Sequence, residues 1–394
     1  EVVGLVLGGI VALFFLVVYN IRARTISGIP TGKGYLPVIG HTIALSSIFE
    51  KKKEFLEHFL SEALEKKTHY SLSIMNQDPN VLIVTEDAAK HILEDNFDNY
   101  VKISKADDRL AGAEFFGDGI FLVDGKQWSF HRKAASYMFS TNSMRDMVNV
   151  FNEHGEHLLS LLEGFAKSGG VVDIQDLFQR FTMDSFCQIA FGVDFGSLHK
   201  PQGVKPEFAQ AFDYIQDLIS RRDLSPITYV KIMKFLQISK TERDMTRCAK
   251  VLDDTIYKLM MEREKELSQR NDQLDDKRTH DLLTHFVRMS RERNEKLDAR
   301  VVRDVAMNFI IAGRDTTACL LSWTFYELHR HPEMEKRVVE EITAALQGGG
   351  PTYDNVKELH FTERFMLEVL RLHPPVPFDL KRSLEDDILP DGTK

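Results

Sequence analysis

Cysteine is scarce in this chain. Three occur in 394 residues, Cys187, Cys248 and Cys319, and none sits in a CxxC. They cannot build a disulfide framework, and their number fits a reducing compartment. Tryptophan is scarcer still, with 2 against 27 Phe. A Phe-rich interior suits a close-packed core or a pocket for large apolar ligands, and composition does not separate the two. No basic tract carries interleaved aromatics and the net charge is −9, which sets aside a nucleic-acid surface. No HExxH occurs, and the HxxH of His154 and His157 has no third ligand, so no metal site is expected there. No internal repeat stands out. The chain is 43% hydrophobic and 28% charged, enough for a large core in one big domain or two ordinary ones.

Charge is missing from residues 2–19, VVGLVLGGIVALFFLVVY. As a helix they span about 27 Å, close to a bilayer core. Arg22 and Arg24 follow at once. The expectation is an uncleaved transmembrane anchor over residues 1–21. The rival is a signal-peptide core, which is normally shorter. The positive charges after the segment put the next domain on the cytosolic side. Residues 22–40 contain PTGKGYLP, a stiff, turn-rich hinge that cannot continue the helix. Residues 41–394 then form the main body of the chain. The chain begins with Glu1 inside an apolar run and stops after ILPDGTK, so a fragment at both ends is expected.

Periodicity predicts a mainly α protein. Helices are expected over 47–67, 86–99, 127–137, 142–164, 173–191, 206–221, 225–236, 241–267, 279–290, 298–330, 333–347 and 357–372. Residues 71–76 and 81–85 flank the turn signal DPN and read as a β-hairpin. Residues 376–390 read as β-like, because Pro374, Pro375 and Pro377 forbid helix before them. The charge run from Glu262 to Lys277 reads as a solvated helix end and loop.

Three motifs carry chemistry. The first is AGRDTT, 312–317, at the centre of the most apolar helix. Gly313 and the two threonines are poor helix formers, and a buried Asp is costly unless paired. Thr316 can bond back to the Ala312 carbonyl, and Gly313 allows close approach; together they predict a local distortion facing a cavity. Asp315 could pass protons, with Thr316 holding a water or a bound oxygen. The plain alternative is a core helix kinked by Thr, with Asp315 paired to a buried Arg. Arg314 itself is expected in an outward salt bridge. The second motif is Glu368 and Arg371, one turn apart and flanked by Leu367, Leu370 and Leu372. That setting predicts a buried, geometry-fixing pair, although an isolated ExxR is commonly a surface pair. The third is Trp128 and Arg132, four apart on one face, where an indole N–H and a guanidinium suit an anionic group.

In this order and spacing the motifs resemble those of the cytochrome P-450 haem-thiolate monooxygenases. The resemblance covers essentially the whole chain, including the proline-rich hinge. Within that superfamily, residues 115–140, 176–195 and 376–393 resemble the fatty-acid ω-hydroxylase branch. The fold implied is a long central helix in a helix bundle with a minor β-sheet, incomplete at the C-terminus. The resemblance implies that Trp128 and Arg132 bind a haem propionate, with Lys381 as a further partner. Ala312 and Gly313 would lie against the haem, and Thr316, helped by Asp315, would organise dioxygen and its protons. Glu368 and Arg371 would be structural. Segment 109–121, notably Phe116 and Phe121, would line the substrate with Phe309, Val376 and Phe378. An NADPH-dependent reductase would supply electrons near Arg132 and Lys133. The setting implied is the endoplasmic reticulum membrane, with membrane lipid as a neighbour.

One departure stands out. The family's haem ligand is a Cys in a Gly-rich loop downstream of ExxR, and residues 372–394 contain no Cys. The segment that normally supplies an Arg to Glu368 and Arg371 is missing too. Three readings follow: a monooxygenase seen in part, a haem-free inactive remnant, or a binding protein for apolar ligands.

Overall fold

The computed structural model describes residues 22–50, 55–75, 77–102, 112–223, 227–269, 284 and 298–394. The expected anchor and the expected helix 279–290 lie outside them. Among the described residues no helix is long and apolar enough to cross a membrane.

The chain is mainly helical. In order it forms α1 (Thr42–Glu50), α2 (Phe55–Lys66), β1 (Tyr70–Leu72), β2 (Asn80–Leu82), α3 (Glu86–Lys90), β3 (Tyr100–Lys102), α4 (Ala113–Phe116), α5 (Gly125–Ser136), α6 (Thr141–Ser168), α7 (Ile174–Phe191), α8 (Glu207–Asp223), α9 (Ile227–Leu236), α10 (Lys240–Gln269), α11 (Ala299–Arg330), α12 (Pro332–Leu346), α13 (His360–Leu372) and β4 (Lys381–Ser383). Local signals set many ends. Ser140, Asp173 and Asp298 each cap a helix start with a side-chain oxygen, meeting an otherwise orphaned N–H. Gly169 and Gly192 close α6 and α7 in the left-handed conformation, which glycine adopts without strain.

Two compact units share the chain. The first holds residues 1–114, 214–247 and 380–394. Its hairpin pairs β1 with β2 antiparallel, Tyr70 opposite Leu82, and a second ladder pairs β3 with β4, Tyr100 opposite Ser383. The β-like reading of 376–390 holds only for Lys381–Ser383, whose partner strand β3 went unseen. Asp387 Oδ2 accepts bonds from His91, Asn96 and Tyr100 at 2.7–3.0 Å, which lowers its own pKa; burial first, and then the bond to Asp387, raises that of Tyr100 to about 12. The expected helix 86–99 breaks into α3, a π-helical turn His91–Asp95 and a 3₁₀ turn Phe97–Asn99, so His91, Asn96 and Tyr100 converge on Asp387. The expected hinge is tied down: Gly32 N–H donates to Ser71 O, and Ser71 N–H to Pro30 O.

The second unit holds residues 115–213 and 248–379. Its core joins Leu158, Leu177, Phe178, Leu198 and Ala318. Helix α7 packs along α11, and Gly313 stands at a close approach of the two. A Cβ there would lie 2.0 Å from the ring of Phe186.

Candidate functional site

Helix α11 carries the first motif. It is α-helical without interruption from Ala299 to Arg330, so whatever local distortion AGRDTT introduces does not break the helix. The back-bond does: Thr316 Oγ1 donates to Ala312 O at 2.6 Å. A Thr hydroxyl can bond the preceding turn while the helix ladder stays intact. Ala312, Asp315 and Thr316 are all half-buried.

Arg314 corrects its expectation. It is 2% exposed and turns inward, with Nη1 2.6 Å from Asp213 Oδ1 and 3.2 Å from Asp315 Oδ1. Its guanidinium also stands over the Phe212 ring at 5.3 Å. A guanidinium without these partners could not stay buried, since an unpaired charge there costs several kcal/mol. Asp315 is therefore held by the buried Arg beside it.

Gly313 also has a definite structural use. The direction its side chain would take is filled by Phe186, so the glycine serves the approach of α7 and α11.

Glu368 and Arg371 form a bidentate pair, Nε–Oε2 2.8 Å and Nη2–Oε1 2.6 Å. The expected burial fails. Their side chains are 55% and 67% exposed, and Leu367 and Leu372 beside them are exposed as well. Flanking leucines bury a pair only where another element covers that face.

The remaining expected site residues fall as follows. Trp128 is half-buried and Arg132 exposed, both on α5. Phe116 and Phe121 meet edge to face, 6.1 Å between centroids. Phe309 is half-buried on α11, Val376 is exposed, and Phe378 is half-buried. Lys381 lies in β4, in the first unit. Of segment 109–121, residues 112–121 are described.

The two histidines of HxxH part company. His154 Nε2 bonds Gln188 Oε1 at 2.6 Å, and His157 packs on His199. A ring nitrogen of His154 lies within 4.8 Å of carboxylate oxygens of Asp184 and Asp194. Both Asp184 oxygens already accept backbone N–H groups, from Ser197 and Leu198. Burial raises the Asp184 pKa, and its evident task is to hold the turn after α7.

Three polar residues of α11 went unseen in the sequence: Arg303, Asp304 and Asn308. They are buried and bond the backbone of 115–121. A polar pair at i and i+4 on the buried side of an apolar helix was the available signal.

Residues 30–394 match the family model described as Cytochrome P-450. The chain is 32% identical to cytochrome P-450 94A2 of Vicia sativa over 378 residues, 92% of this chain and 69% of that protein. It is 30% identical to cytochrome P-450 94A1 of the same plant, over 90% of this chain and 66% of that protein. It is 31% identical to cytochrome P-450 704B1 of Arabidopsis thaliana, over 91% and 73%. The chain belongs to the cytochrome P-450 family and spans about two thirds of the length of these relatives.

Membership implies haem, and the donor set tests it. Cys187 is fully buried inside α7 against Met183, and burial raises its thiol pKa well above the usual value. Burial likewise raises that of Cys319 in α11. Cys248 is buried in α10. A thiolate ligand needs the opposite, a lowered pKa and an open approach. The cysteines present do not fit a haem-thiolate bond.

Proposed function

We propose that this chain is the substrate-binding and proton-handling part of a haem-dependent monooxygenase. The reaction inserts one oxygen atom of O2 into a C–H bond of an apolar substrate, a fatty acid attacked at its ω end. Electrons come from NADPH through a reductase partner, and the protein sits in the endoplasmic reticulum membrane by an anchor at residues 1–21. A hinge at 22–40 leads into a catalytic domain on the cytosolic side. The observation that carries this reading is the half-buried Thr316 hydroxyl, bonded back to Ala312 O at 2.6 Å beside Asp315. It is supported by family membership and by the phenylalanines near residues 116–121.

Within this reading the Thr316 oxygen, its own proton given to Ala312 O, would accept from a water beside the reacting centre, and the bond to Ala312 O fixes the hydroxyl's direction. Asp315, with Oδ1 3.2 Å from Arg314 Nη1, places a carboxylate one residue away as a proton-handling group. Trp128 and Arg132 would hold a propionate of the cofactor, with Lys381 the further partner that the resemblance implies; Ala312 would face the cofactor from α11, where Gly313 serves the approach of Phe186, and Phe309, Val376 and Phe378 would add apolar surface.

A second reading applies to residues 1–394 taken alone: they stay haem-free and inactive. The thiol chemistry and the exposed Glu368–Arg371 pair favour it. One experiment addresses both readings. The chain as it stands should show no thiolate-type band in a reduced carbon monoxide difference spectrum, and a protein extended by a Cys-bearing segment should show one. In the extended protein Thr316→Ala should keep the fold and the band while electron use uncouples from product. Unchanged coupling would remove Thr316 from the chemistry.

A further inference from the structure

We propose that Asp304 and Asn308 are positioning residues that set which carbon of the substrate is attacked. They would do so by clamping the Phe115–Phe121 segment to α11. This rests on the monooxygenase reading above.

The clamp is a set of bonds between side chains of one helix and the backbone of one loop. Asp118 N–H donates to Asp304 Oδ2 at 2.7 Å. Phe121 N–H donates to Asn308 Oδ1 at 3.0 Å, and Asn308 Nδ2 donates to Phe116 O at 2.8 Å. Arg303 Nη1 adds a bond to Phe115 O at 2.9 Å and steadies Asp304 Oδ1 at 2.9 Å. Asp253 in turn holds Arg303 Nε at 2.6 Å. Asp304 is 2% exposed and Asn308 0%, so water does not compete.

Residue identity is demanded on both sides. Asn308 accepts from one peptide and donates to another, and its second N–H donates to Asp304 O. A carboxylate could not donate and an aliphatic side chain could do neither. On the loop, a Cβ at Gly117 would lie 2.0 Å from the Asp304 carboxyl carbon, and one at Gly119 would lie 2.1 Å from Asn308 Nδ2. The backbone of FFGDG lies flat on these two side chains only because both positions lack a Cβ. Gly117 also needs its φ of +56°, which glycine adopts without strain.

Placement supplies the function. Asp304, Asn308, Ala312 and Thr316 are four apart, so they form one ridge along α11. Asn308 is eight residues from Thr316, about 12 Å of helix rise. The loop bearing Phe116 and Phe121 and the hydroxyl at Thr316 are thus held on one rigid row. A shift of the loop along that row changes how far an apolar chain reaches toward Thr316.

The test uses Asn308→Ala and Gly119→Ala, which break the clamp from opposite sides, and Asp304→Asn, which keeps an acceptor for the Asp118 N–H. Hydrogen exchange by mass spectrometry over residues 115–123 reads the clamp itself and needs no haem. Loss of a buried hydrogen bond should speed exchange there about tenfold in the first two variants and little in the third. In the extended, haem-loaded protein the same two variants should shift the ratio of hydroxylation positions on a saturated fatty acid. Asp304→Asn should stay near wild type. Unchanged exchange would overturn the clamp. Faster exchange with an unchanged product ratio would overturn the specificity role. A wild-type extended protein that binds haem yet hydroxylates no fatty acid would overturn the specificity role and the fatty-acid reading together, while the exchange result would still report the clamp.

Discussion

Arg314 and Arg371 each sit among apolar residues in a helix, and each grips a carboxylate. Arg314 is buried, held by Asp213 and Asp315 with its guanidinium over a phenylalanine ring. Arg371 lies open to solvent with Glu368. Local sequence suggested the reverse arrangement for both. The difference is in what lies opposite: α8 brings Asp213 and Phe212 to Arg314, while the neighbours of Arg371, Leu367 and Leu372, are exposed like it. An arginine is buried where a distant element brings it a counter-charge and a surface. Its own neighbours along the chain do not decide this.

Substitutions can break that comparison, and the largest effect belongs to the buried pair. Arg314→Ala should cost about 3 kcal/mol, at the low end for breaking a buried ion pair, because Asp213 keeps Lys205 at 2.6 Å. Chemical denaturation reads this as a lower midpoint at constant slope. A loss too small to resolve would mean that Arg314 is not buried as described.

Gly313→Ala comes next. Overpacking against Phe186 costs about 1–3 kcal/mol, while alanine is better than glycine in a helix interior by about 1 kcal/mol. The expected net is a loss of about 1 kcal/mol, partly recovered by adding Phe186→Leu. A higher midpoint for Gly313→Ala would show that α7 and α11 do not approach closely there.

The smallest effect is at the exposed pair. Arg371→Ala should leave the thermal midpoint unchanged within error, because exposed pairs contribute little. The Glu368 pKa is lowered by its bond to Arg371. A lowered folded pKa adds stability above the unfolded value, about 4.3 for Glu, and that addition fades as pH falls below it. Any difference between wild type and Arg371→Ala should therefore shrink on acidification and in high salt. A large destabilisation at neutral pH would show that another part of the protein covers this face.

Much of the fold was legible. Helices α6, α7, α11 and α12 fall within a few residues of expectation, because apolar periodicity, the caps at Ser140, Asp173 and Asp298, and the Pro332 start are all local. The Thr316 back-bond was legible for the same reason, since it spans one turn. The break-up of 86–99 was not, because Asp387 lies nearly 300 residues away.

By itself, then, the sequence determined most of the long helices, several of their ends, the family and the chemical identity of Thr316 and Asp315, all encoded within a turn or two of chain. Tertiary structure alone decided which charges are buried. It paired β3 with a strand some 280 residues distant, set Gly313 against Phe186, and laid the 115–121 backbone on Asp304 and Asn308, 186 and 187 residues away. The physical reason is one and the same. A helix satisfies its own hydrogen bonds locally, whereas a buried charge, a strand edge and a loop backbone must find partners elsewhere in the fold.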